Sequence, residues 1–254
     1  MSDVVITEVN EGVMTITLNR PEAKNAVNLA MAEGLAAAII ELDSNDDIRV
    51  AILTGSNNTF CSGMDLKAFV SGEVPYIKDR GFGGLTEAPP AKPLIAAVEG
   101  YALAGGCELA MVCDLIVAAE TAKFGVPEVK RGLAAGAGGL LRFPRQLPYR
   151  VAMELALTGD FMDAARAKDL GFINQTVPEG EAFSAAQGLA VKIAGNGPLA
   201  VKLSKQVVRD SEDWSTGEMF GRQQDILQPV FTSEDAIEGA MAFAEKRAPN
   251  WKGR

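Results

Sequence analysis

KPLIAAVEGYALAGGCELAMVCDLIVA, residues 92–118, decides how this chain folds. Residues 94–98 and 115–119 are continuous apolar runs of strand length, the pattern of strands buried on both faces of a parallel sheet. Between them lie a glycine-rich turn at Gly100, Gly105 and Gly106 and a short helical stretch. Two parallel strands need a crossover of this kind, so the stretch predicts α/β architecture.

Outward from this unit the same rhythm continues. Residues 4–9 and 14–18 are β-rich and separated by Glu11-Gly12, which reads as a hairpin. Residues 28–42 carry helical spacing with Asn28 as the expected N-cap, and residues 50–54 form a short buried strand. Glycines and prolines flank charged residues between Val70 and Lys92, predicting a mobile loop at a pocket mouth. Beyond Arg150 helices dominate, over 151–158, 163–170, 181–194, 198–210, 216–227 and 234–246, with one strand over 172–177.

Composition limits the chemistry. The chain has 254 residues, 48% hydrophobic and 22% charged, an ordinary globular balance. Its apolar runs are too short to span a bilayer. The first seven residues lack a basic segment followed by an apolar one, so a cytoplasmic location is expected. Histidine is absent, which removes Ser-His-Asp triads, Cys-His pairs and imidazole metal ligands. Proton transfer then falls to carboxylates, lysines, tyrosines or water. Three cysteines without CxxC spacing predict reduced thiols. A net charge of −9 argues against nucleic acid as a partner.

Four stretches are candidates for chemistry. In Phe60-Cys61-Ser62-Gly63-Met64-Asp65-Leu66, small residues after a strand either free backbone N–H groups toward a cavity or simply turn the chain into a helix capped by Asp65. In the turn ending at Gly105, a helix N-terminus offers N–H groups suited to an oxyanion. Glu108 in its first turn is either a capping-box residue or a base kept ionised by the helix. Glu128, after Pro127, is either a surface acid paired with Lys130 or Arg131 or, in an apolar pocket, a general acid. The small residues 132–139 make a tight helix start, a pocket wall, or both.

Taken with Leu18-Asn19-Arg20-Pro21, Asn25-Ala26, the run FGVPEVKRGLAAGAGG (124–139), and EGAMAFAEKR (238–247) with Trp251, these stretches resemble the crotonase (enoyl-CoA hydratase/isomerase) superfamily along nearly the whole chain. The resemblance implies a crotonase-like α/β spiral of ββα units over residues 1–196 and a C-terminal helical trimerisation region over 197–254, assembled as a homotrimer or a dimer of trimers. It maps the oxyanion hole onto the N–H groups of Met64 and Gly105 and the catalytic pair onto Glu108 and Glu128. Ser62 falls near the adenine of coenzyme A and Lys67 near its phosphates, with Lys24 and Lys246 of a neighbouring subunit as further cations. Leu103 and Gly136 line the acyl pocket. Coenzyme A enters as part of the substrate, and neither a tightly bound cofactor nor a metal is called for.

Glutamates at both positions favour hydration of a trans-2-enoyl-CoA. Double-bond isomerisation, hydration of a carnitine-derived or aromatic acyl-CoA, and a non-catalytic CoA-binding role are the alternatives. Ala104 stands where a glycine is common, a mild change; Ala135 stands where a proline is frequent, and Asn58 where many hydratases carry a lysine.

Overall fold

Glu11 and Gly12 take φ of 49° and 78°, positive at both centres as a type I′ turn requires. They join β1 (Val5–Asn10) to β2 (Val13–Leu18) as an antiparallel hairpin. In this computed structural model, which describes residues 3–254, Met1 and Ser2 of the N-terminal reading lie outside the described residues. Asn28 Oδ1 accepts from Met31 N–H and starts α1 (Leu29–Ser44), which leads into β3 (Val50–Gly55). Asp65 caps α2 (Leu66–Val70), and a two-stranded ribbon follows, β4 (Tyr76–Ile77) with β5 (Gly81–Phe82).

The diagnostic stretch forms β6 (Leu94–Val98), β7 (Tyr101–Leu103), α3 (Gly105–Val112) and β8 (Leu115–Ala119). Next come β9 (Lys123–Gly125), a 3-10 turn at Pro127–Arg131, α4 (Gly139–Gln146), α5 (Tyr149–Thr158), β10 (Met162–Asp163), α6 (Ala164–Asp169) and β11 (Gln175–Val177). Helices α7 (Ala182–Ala194), α8 (Pro198–Asp210), α9 (Met219–Phe231) and α10 (Glu234–Glu245) complete the chain. The main sheet runs β1-β2-β3-β6-β8-β11, parallel from β2 onward.

Alternate strand residues serve two cores, as the period of two dictates. Val50, Ile52, Ile95, Ala97 and Val117 face α7, whose Ala182, Ala186, Ala190 and Ala194 recur every fourth residue and let the helix lie close. Ala51, Leu53, Leu94, Ala96 and Val98 face the larger core with α1 and α3.

The segment between Val70 and Lys92, expected to be mobile, is partly core: residues 81–86 are buried. Its glycines serve close approach, since a Cβ on Gly84 would lie 2.6 Å from Ala36 Cβ on α1. The turn after β6 also holds more order than its sequence suggested. There β7, β9 and β10 form a second small sheet, too short to carry a periodic signal.

Candidate active site

The small sheet sets the site's geometry. Parallel pairing of Leu103 with Gly125 and an Ala104 N–H···O Gly125 bond of 2.8 Å place the start of α3 beside the Pro127–Arg131 turn. Cys61 bridges Ala102 on the other side of β7, which brings the 60–66 turn alongside. Three loops remote in sequence thus meet around one strand.

Close contact between them depends on glycine. A Cβ on Gly63, at φ 105°, would lie 2.7 Å from Ala104 Cβ and 3.3 Å from Gly105 N. On Gly106 it would lie 2.1 Å from Cys61 O, so a side chain there would force α3 away from the 60–66 turn. The Phe82 ring covers Gly105, where a Cβ would come within 2.4 Å of Cζ.

Met64 and Gly105 present N–H groups without an internal partner among the described residues. In the parallel bridge between Val27 and Met64, the bonds use Gly63 O and Asp65 N, which leaves Met64's own N–H directed the other way. Gly105 is the first residue of α3, where an N–H has no intrahelical acceptor. Ala104 before it has φ 52° and ψ −130°, a conformation that costs an L residue about 1–3 kcal/mol. The alanine expected to be a mild replacement is therefore a strained one.

The motif Arg20…Asn25 braces this turn from behind. Arg20 pairs with Asp65 at 2.9 Å and donates to Ala26 O. Buried Asn25 donates to Ser56 O and Thr59 O at 3.0 and 2.6 Å. Burial pushes the Asp65 carboxyl up, but hydrogen bonds from Arg20 and the Ala68 N–H outweigh it and hold the carboxyl below its usual value.

Glu108 does not cap its own helix. Its Oε1 accepts from Ala137 N–H and Gly139 N–H, both at 2.8 Å, and Gly139 opens α4. The small-residue stretch is thus a cradle for this carboxylate. Burial raises the Glu108 pKa against those two bonds and the Arg142 charge, so the expectation that its own helix N-terminus favours the anion is corrected as to the source. The favouring N–H groups belong to α4 and its approach, and burial outweighs them.

Glu128 makes no ion pair with Lys130 or Arg131 among the described residues; Lys130 pairs instead with Asp160 at 2.6 Å. Among the described residues its Oε2 is buried without a partner. Burial first, then the Glu108 charge, pushes its pKa up to about 7.

A cavity of about 570 Å³ collects Lys24, Ser62, Met64, Leu103, Gly105, Glu108, Glu128 and Gly136 among its lining residues. A larger groove of about 1070 Å³ lies against α8 and holds the Asp114–Lys205 ion pair but neither glutamate, so size does not mark the site. Lys24 Nζ stands 5.5 Å from the Tyr101 ring centroid, and Ser62 N–H donates to Lys24 O at 3.1 Å. Lys67 sits on α2 outside the cavity lining, and Lys246 caps α10 away from its own chain's cavity.

Sequence reading missed Tyr76, Arg131 and Arg142. Tyr76 and Arg131 line the cavity. Arg142 Nη2 donates to Thr86 O at 2.6 Å and Nη1 to Ala137 O at 3.4 Å, tying the 81–86 segment to the Glu108 cradle. Nothing in the local pattern marks a tyrosine in a loop. A lone arginine within apolar Leu140, Leu141 and Phe143 was the available signal for Arg142.

The chain matches the family model for enoyl-CoA hydratase/isomerase over residues 8–254, and it belongs to that family. It is 43% identical to the enoyl-CoA hydratase EchA19 of Mycobacterium tuberculosis, over 95% of this chain and 93% of that protein. It is 40% identical to the carnitinyl-CoA dehydratase of Salmonella typhi over all of both chains. A crystal structure of an enoyl-CoA hydratase from Mycobacterium tuberculosis superposes with a TM-score of 0.98 at 56% identity, covering both chains fully. The fold is that of the crotonases, a mixed α/β structure with a helical C-terminal region.

Proposed function

We propose that the chain hydrates a trans-2-enoyl-CoA by syn addition of water. One observation carries this reading: two carboxylates of unlike surroundings share a cavity with two N–H groups that have no protein partner among the described residues. The thioester oxygen accepts from Met64 and Gly105 N–H. Each donor is worth about 3–4 kcal/mol once the oxygen carries enolate charge. One water lies between the glutamates. Glu108, fixed through Oε1, takes a proton from the water as its oxygen attacks the β-carbon, and Glu128 delivers a proton to the α-carbon. A pKa of about 7 suits a group that must hold a proton at neutral pH and release it during the reaction.

Coenzyme A lies toward Ser62 and Lys24, with Lys67 and a neighbouring subunit's Lys246 near its phosphates. Residues 1–196 form the catalytic core and 197–254 the trimerisation region, giving a homotrimer or a dimer of trimers. In support, Phe220, Phe231, Ile237 and Phe243 on α9 and α10 are 65–87% exposed, more apolar surface than a lone chain leaves in water. Among the described residues no helix is long and apolar enough to cross a membrane, which fits a cytoplasmic enzyme.

Crotonyl-CoA tests the reading. Loss of enoyl-thioester absorbance with the wild type, abolished in both Glu108→Gln and Glu128→Gln, is the expected result. CoA thioester binding without absorbance loss would favour a specialised acyl group, for which the likeness to a carnitinyl-CoA dehydratase speaks, or isomerisation. No binding at all would refute the assignment.

A further inference from the structure

This inference rests on the hydration reading only for the direction in which the thioester lies. The lysine and serine assigned to coenzyme A are already engaged, Lys24 with the Tyr101 ring and Ser62 Oγ with Ala23 O. Apart from these groups, Tyr101 and the glutamates, the lining is mostly apolar, with Leu66, Phe69, Val74 and Leu133. Arg131 and Tyr76 are its polar members, and only Tyr76 is uncharged. Its hydroxyl has no hydrogen-bond partner among the described residues, and it lies 3.9 Å from where a Gly136 Cβ would be.

The tyrosine is held in place. Its ring meets Phe82 edge-on at 5.9 Å between centroids, and Phe82 in turn covers Gly105. Residues 76 and 82 are paired across the β4–β5 ribbon. A Cβ on Gly136 would meet Tyr76 Oη and Ala134 O in ordinary contact, both at 3.9 Å, so the glycine leaves beside the hydroxyl a volume that a side chain would otherwise fill. The surroundings also set the protonation and the sign. Burial, then the charges of Glu108 and Glu87, raise the Tyr76 pKa, so the group is a neutral donor, and a carboxylate placed there would face two acids.

We propose that Tyr76 is a specificity-determining residue that donates a hydrogen bond to an uncharged oxygen on the acyl group beyond its β-carbon, so that the site prefers γ-oxygenated acyl-CoA thioesters. A plain alkyl chain filling this space strips water from the hydroxyl and returns nothing. A site built around a hydrogen-bonding partner discriminates against the analogue that lacks it.

Two saturated thioesters, which cannot be hydrated, test this by direct binding: hexanoyl-CoA and 4-methoxybutyryl-CoA, which differ by one oxygen in place of one methylene. The full-length wild type and Tyr76→Phe are compared, with thermal melts showing that both are folded. Tyr76→Phe is expected to weaken the ether ligand about tenfold relative to its effect on hexanoyl-CoA. Equal effects on both ligands, or none on either, would overturn the proposal. Crotonyl-CoA turnover by the wild type is measured alongside. Turnover without ether discrimination defeats the tyrosine's role alone. Discrimination without crotonyl-CoA turnover leaves the tyrosine's role standing and moves the reaction to a specialised acyl group or to isomerisation.

Discussion

Glu128→Gln should make the protein more stable at alkaline pH while destroying its activity. The carboxyl rises from 4.5 to about 7 in the folded state because of burial and the Glu108 charge. At about 1.36 kcal/mol per pKa unit this bounds the effect near 3.4 kcal/mol. The side chain is only partly enclosed, so solvent screening reduces the expected value to about 1–2 kcal/mol. The sign follows from linkage. A carboxyl raised on folding keeps its proton where the unfolded chain has lost it, so its contribution is complete below about pH 4.5. It shrinks across the window up to about 7 and is gone above it. Glutamine does not titrate there. Denaturant unfolding of both proteins from pH 4.5 to 8 should therefore show the stability difference moving by about 1–2 kcal/mol in the variant's favour. Activity toward crotonyl-CoA should fall at least 100-fold. A difference that stays flat with pH would refute the claim that Glu128 is protonated in the folded site at neutral pH.

Other substitutions probe the scaffold of the site. Ala104→Gly relieves the strain at φ 52°, worth about 1–3 kcal/mol, against about 0.5–1 kcal/mol of added chain entropy. A gain near 1 kcal/mol, read as a melting rise of about 2–4 °C, is expected, and a fall would contradict the strain. Gly106→Ala puts a Cβ 2.1 Å from Cys61 O; a loss of about 1–3 kcal/mol should accompany loss of turnover as the two N–H-bearing turns separate. Arg142→Gln removes the charge that lowers the Glu108 pKa, so the acid limb of the kcat/KM profile should move to higher pH. It also weakens the bond to Thr86 O, at a cost of about 1–3 kcal/mol in urea unfolding.

The parts of the molecule legible in sequence are those where one signal dominates. The buried run Leu94–Val98 and the cap at Asn28 were legible because a continuous apolar strand and an Asx cap each have a single local cause. The candidate glutamates were legible only through the order of several weak motifs, since Glu108 alone also fits a capping box. The start of helix α4 at Gly139 was legible as one reading of the small residues 132–139, but its course was obscured by Pro144, which lowers helix propensity and sits inside the helix beside buried Phe143. The segment after Val70 was misjudged because glycine has two uses, freedom and close approach, and only the neighbour tells them apart. For Gly84 that neighbour is Ala36, nearly fifty residues earlier. Tyr76 left no trace, because its place is set by pairing with Phe82 and not by any spacing.

On the proposed mechanism the two glutamates differ in role because the backbone can serve only some of the negative centres. Up to three could gather in one cavity: the enolate oxygen and the two carboxylates. The start of α3 and the Met64 N–H are directed at the thioester oxygen. The approach to α4 is committed to Glu108 through Ala137 and Gly139 N–H. Oε2 of Glu128 has no donor among the described residues, and its residue faces the Glu108 charge. Burial and that charge outweigh the help of its own backbone N–H and of Arg131, and a buried carboxylate oxygen without a donor is costly, so the cheapest arrangement protonates Glu128 and leaves Glu108 ionised. The pair titrates as a unit, and its neutral-pH form, one proton over two carboxyls, is the form that syn addition needs. The distribution of N–H groups over two helix starts thus selects which glutamate is the base and which is the acid.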